Sequence, residues 1–98
     1  MSLPLVIRRA ARVEFDEAFD WYERQEIGLG VKFADRVQAT FDSISAMPEL
    51  HALVYRDVRK ALVKPYPYSI FYRIRGHRVV VLAVFHSKRD PKIWKSRV

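Results

Sequence analysis

Apolar positions along the chain fall into helical and strand-like rhythms in a clear order. Between Arg9 and Arg24, Ala11, Phe15, Ala18, Phe19 and Tyr22 recur at the spacing of one helix face. Glu14, Asp16, Glu17, Asp20 and Glu23 lie off that face and are expected in water. Trp21, on its border, is expected in the core or at a packing rim. Gly28 and Gly30 interrupt the pattern. A second helix is predicted over 29–46 from the stripe Phe33, Val37, Phe41 and Ile44, and Met47-Pro48 ends it because a residue before proline resists the α region. Two amphipathic helices so joined form an αα-hairpin.

Strand-like alternation flanks the helices. Leu3–Arg8 reads as a short strand that starts late or runs along an edge, because Pro4 has no amide donor. Leu53–Lys64 reads as one long strand, and Pro65-Tyr66-Pro67 turns the chain into the next. In Tyr68–Arg75, Tyr68, Ile70, Tyr72 and Ile74 share one face, with Ser69, Phe71, Arg73 and Arg75 on the other. Gly76-His77 suits a type II′ hairpin turn. Val79–Phe85 is apolar on both faces, as a central strand should be. Asp90-Pro91 then resembles an N-cap and first-turn proline opening a short helix through Ile93 and Trp94. The order β-α-α-β-β-β with a short C-terminal helix predicts a two-layer α+β fold. In it the helical hairpin packs on a mainly antiparallel sheet, and residues 1–98 make a single domain.

Composition narrows the function classes. The chain has no cysteine, which removes disulfides, thiolate metal sites and cysteine nucleophiles. His51, His77 and His86 lack metal-ligand spacing, Gly28-Leu29-Gly30 follows no strand, and no serine elbow is present, so no cofactor or metal is expected. No apolar run reaches the ~20 residues of a membrane span, and no signal-peptide pattern opens the sequence. A cytoplasmic protein without membrane contact is expected. The net charge of +7 is unevenly spread. Residues 1–50 carry six Lys/Arg against nine Asp/Glu, whereas residues 51–98 carry twelve against two. A basic half of this kind points toward nucleic acid or an acidic protein partner.

Several motifs, taken in order, resemble the RelE/ParE family of type II toxin–antitoxin toxins, also called plasmid-stabilisation proteins. They are Ala10-Ala11-Arg12 before a helix carrying Trp21-Tyr22; Met47-Pro48; Val58-Arg59; Tyr66-Pro67-Tyr68-Ser69-Ile70-Phe71-Tyr72-Arg73; and Val84-Phe85-His86-Ser87-Lys88-Arg89-Asp90-Pro91. The details are more similar to the ParE-like branch. The resemblance implies a growth-inhibiting toxin neutralised by a small, acidic, partly disordered antitoxin. RelE-like members cut mRNA on the ribosome, whereas ParE-like members are known for poisoning DNA gyrase.

Metal-free RNA cleavage needs a base, an acid and cations for the phosphate charge. Of the groups the RelE resemblance implies, Lys60 and Arg89 are present. Leu62 stands at the second lysine position, Ser69 at the middle-strand arginine, and Trp94-Lys95 in the region of the terminal tyrosine. A missing phosphate-holding arginine removes roughly 1.5–3 kcal/mol of charge-assisted contact. The expectation is a gyrase-binding toxin that is not an enzyme. The alternatives are a ribosome-dependent endoribonuclease using Lys60, His86 and Arg89, and a degenerate, non-toxic antitoxin-binding homologue. His86 is otherwise expected to cap its strand or bond Asp90. The target-binding candidates are Arg59, Lys88, Arg89, Trp94, Lys95 and Arg97. For Arg59 the bland reading is an ion pair with Asp57 or a helix acid; for Tyr66, Tyr68 and Tyr72 it is packing.

Overall fold

The computed structural model describes residues 2–98. Its elements are β1 (Leu5–Ile7), α1 (Arg9–Gln25), α2 (Leu29–Ala46), β2 (Ala52–Tyr55), β3 (Val58–Val63), β4 (Tyr68–Arg75), β5 (Arg78–His86) and α3 (Lys92–Lys95). One five-stranded sheet runs β1-β5-β4-β3-β2. β1 is parallel to β5, and every other pair is antiparallel. The two-layer α+β arrangement with a short C-terminal helix is therefore present, with one strand more than the sequence pattern predicts.

The extra strand comes from the Leu53–Lys64 run, which is two strands. The chain reverses at Arg56-Asp57, so that Tyr55 pairs with Val58 and Leu53 with Arg59. Arg56 takes φ +52° there, a left-handed conformation costing a residue with a Cβ roughly 1–2 kcal/mol. Asp57 is a turn former, but with no glycine, asparagine or proline beside it the signal is too weak to break the strand pattern. The other hairpin follows expectation: Gly76 takes φ +60°, His77 stays negative, and Arg75 faces Arg78.

The helical hairpin covers one sheet face. Phe33 of α2 stacks between Phe15 and Tyr22 of α1, with ring centroids 5.9 and 5.1 Å away, and receives the edges of Tyr66 and Tyr68 at 5.2 Å. Ala61, Val63, Ile70, Tyr72, Val79, Val81 and Val84 complete this core. The tyrosines therefore pack. Between the helices, the Glu23 carboxylate accepts from the amides of Gly28 at 3.0 Å and Gly30 at 2.9 Å. It thereby satisfies donors that a helix N-terminus otherwise leaves unpaired.

The opposite face has its own smaller core of Val58, Phe71, Leu82, Ala83, Phe85 and Trp94. Leu82 and Ala83, adjacent in sequence, both belong to it. The register shift opposite Phe71/Tyr72 lets two consecutive side chains serve one face. At the far edge, β2 presents exposed Leu53 and Val54, with a bulge between Leu53 and Tyr55. Among the described residues, no helix is long and apolar enough to cross a membrane.

Candidate macromolecule-binding surface

β5 delivers the basic tail to the outer sheet face. The Asp90 carboxylate accepts from the Lys92 amide at 2.9 Å and opens α3. Trp94 then lies flat on Phe71, centroids 4.1 Å apart and planes 16° apart, with its edge toward Tyr55. Only 4% of Trp94 is exposed. This corrects its reading as a surface anchor: the outer face of the sheet needs an apolar cover, and the short helix supplies it. Trp21 departs from expectation in the other direction, being 52% exposed against the edge of Tyr22.

His86 does not bond Asp90. Its Nδ1 accepts from the Lys88 amide at 3.0 Å, which leaves the neutral ring's proton on Nε2, and the ring stands edge-on to Tyr68 at 5.0 Å.

Glu14 is the largest departure from the sequence reading. Instead of facing water it is buried, 8% exposed, and gathers charged groups from both ends of the tail. Its Oε2 accepts from Arg89 at 2.7 Å and from Arg97 Nη2 at 3.0 Å; its Oε1 accepts from Arg97 Nη1 at 2.9 Å and from the Val84 amide at 3.1 Å. Arg97 also donates to the Leu82 carbonyl at 3.0 Å. The sheet explains the need. β1 pairs with β5 only as far as Val81, so these two side chains stand in beyond it for a strand that is missing. The signal was present in the spacing, since Glu14 lies three residues after Ala11 and four before Ala18, on the buried side.

Other cations are spent internally. Arg59 pairs with neither Asp57 nor a helix acid; it donates to the carbonyls of Glu49 at 3.0 Å and His51 at 2.7 Å. The Tyr72 hydroxyl holds the same loop through the Pro48 carbonyl at 2.6 Å. Burial pushes that phenol up to about 12, against a smaller opposing pull from Arg59. Burial, helped by Arg59, lowers the His51 imidazole. Asp57 pairs instead with the buried Arg73, at 2.7 and 3.1 Å. The Arg73 hydrogen bonds hold the half-exposed Asp57 carboxyl below its usual range.

Lys60, Lys88, Lys92 and Lys95 make no ion pair among the described residues. Lys95 sits over the Tyr55 ring, 5.2 Å from its centroid. Lys60, His86 and Arg89 line one cleft of about 320 Å³ on the outer face, together with Ser69 and Lys95. His86 and Arg89 also wall a groove of about 810 Å³ on the other side, whose α1 flank carries Arg9, Val13, Glu17 and Trp21. Among the described residues, no cluster of three His, Asp or Glu side chains could hold a metal ion.

A helical hairpin on such a sheet, with a basic tail past the fourth antiparallel strand, invites comparison with known families. Residues 5–91 match the family model described as the ParE toxin of the type II toxin–antitoxin system parDE. The chain belongs to the ParE toxin family. Among solved structures, this ParE-family chain is similar to one from the chromosomal ParDE toxin–antitoxin system of P. aeruginosa. The TM-score is 0.76 at 17% identity, over 87% of this chain and 96% of that one. At that identity the likeness speaks for the fold. No curated protein sequence matches.

Proposed function

We propose that this ParE-family toxin inhibits DNA gyrase by binding it, without catalysis, acts in the cytoplasm, and is held inactive by a small, acidic, partly disordered antitoxin. The observation that carries the reading is the state of the outer cleft. Lys60 remains, but Leu62 and Ser69 occupy the places where the RelE resemblance implies phosphate-holding cations. Arg89 is committed to Glu14, and His86 Nδ1 to the Lys88 amide. Phosphate charge there would find Lys60 and Lys95 as the unpaired cations, with the one arginine already held by a carboxylate. The unpaired Lys88, Lys92 and Lys95 instead suit long-range attraction of an acidic macromolecular surface.

A supercoiling assay with purified toxin tests this. Gyrase activity should fall with excess toxin. A Lys88→Ala/Lys92→Ala/Lys95→Ala variant should inhibit more weakly, with the difference shrinking as salt rises. Unchanged supercoiling at large toxin excess would reject gyrase as the target. Expressing the toxin with and without the neighbouring gene tests the antitoxin, which should restore growth.

One arrangement favours a second reading, a ribosome-dependent endoribonuclease: Lys60, His86 and Arg89 line the same cleft. Primer extension on translated mRNA decides it, and absence of codon-positioned cuts dismisses it.

A further inference from the structure

The tail is gripped at two places by one carboxylate. Arg89 lies just after β5 and Arg97 just after α3, and both end on Glu14. The segment between them carries Lys92 and Lys95 outward and is pinned below by Trp94 on Phe71 and beside Tyr55, whose ring also lies under Lys95. α3 has just four residues, too few to hold its own orientation as a helix. Its two ends therefore bear on its placement, and both reach one residue of α1 more than seventy positions earlier in the chain.

We infer that Glu14 is a positioning residue for the target-binding tail: through Arg89 and Arg97 it sets where Lys92 and Lys95 stand. The functional half of this inference rests on the proposed role of the tail; the geometric half does not. Glu14 touches no target itself. It lines one groove with Val13, Trp21, Arg89 and Arg97.

The test uses the full chain as wild type, Glu14→Gln and Tyr72→Phe. The last removes the Tyr72–Pro48 hydrogen bond of the helix-side core, on the sheet face opposite the tail, and serves as a control for lost stability. Backbone amide exchange and gyrase inhibition are both measured well below the unfolding temperature. Glu14→Gln should exchange the amides of Ile93, Lys95, Ser96 and Arg97 at least tenfold faster than wild type, with α2 unchanged, and should lose at least tenfold in inhibition. Tyr72→Phe should change neither, even where its melting temperature falls as far.

Equal tail exchange in wild type and Glu14→Gln would overturn the inference. So would losses of inhibition that follow melting temperature in both variants. Should Glu14→Gln fail to fold, Arg97→Gln leaves Arg89 on the carboxylate and should speed exchange over 93–97 alone; no change there is equally fatal. A wild type that leaves gyrase untouched removes the proposed target, and tail exchange still decides whether Glu14 positions the segment.

Discussion

Tyr72 shows how much a single buried polar group does here. Its ring is fully buried in the helix-side core, and its hydroxyl reaches the Pro48 carbonyl where α2 gives way to the loop before β2. The folded phenol holds its proton to about pH 12, whereas an exposed tyrosine releases it near 10. A group whose folded pKa is raised contributes its full stability below the unfolded value and loses it as pH climbs through the folded one. Melting temperature should therefore drop steadily between pH 10 and about 12. Tyr72→Phe should lose ~1 kcal/mol at neutral pH for the missing hydrogen bond and show a shallower alkaline decline. The decline persists in part because burial also raises Tyr22 and Tyr68. Thermal melts of both proteins across that range check it, and parallel curves would count against the assignment.

At the scale of elements, the helical hairpin is closed by a contact that tolerates no added atom. A Cβ at Gly30 would lie 2.9 Å from Glu23 Oε1, 3.0 Å from the Phe19 carbonyl oxygen and 3.1 Å from Phe19 Cε2. Glu23 cannot swing aside without releasing the amides of Gly28 and Gly30. Gly30→Ala should cost ~1–3 kcal/mol, the usual range for overpacking, measured by denaturant unfolding; a neutral result would mean the helices can part. The stripe of α2, the alternation of β4 and the two-sided apolar run of β5 were all legible in the sequence, because periodicity reports burial directly. The Arg56-Asp57 reversal was not, because its strain is written in no residue type. Glu14 was misread because a charged residue on a buried face looks exposed until the gap in the sheet edge is known. Trp94 was misplaced for a related reason. Periodicity cannot reach a helix of four residues, and only the uncovered rings of Phe71 and Phe85 call for a lid.

Across the whole molecule, charge and sheet order divide the surface. Acidic α1 and charge-balanced α2 pack on one face, and the cationic half supplies β2 through α3. Much of that positive charge is structural, since Arg59, Arg73, Arg89 and Arg97 are bound to carbonyls or carboxylates. The candidate binding surface is thus smaller than the count of cations implies, and it consists chiefly of lysines. The ParE-family architecture supplies the frame, while the proposed gyrase contact depends on a few exposed ammonium groups.

The far border of the sheet has a colloidal consequence. Ala52–Tyr55 offers unsatisfied backbone groups beside bare Leu53 and Val54, and no lysine or proline within the strand guards them. Apart from its bulge, what keeps two copies from joining along that border is mutual repulsion at +7 each. Salt shortens the reach of that repulsion from ~10 Å at 0.1 M to ~3 Å at 1 M. Concentrated solutions should therefore turn from monodisperse to associating as ionic strength rises, as followed by sedimentation velocity. Leu53→Lys should keep them apart, and association that ignores this substitution would place the sticky border elsewhere.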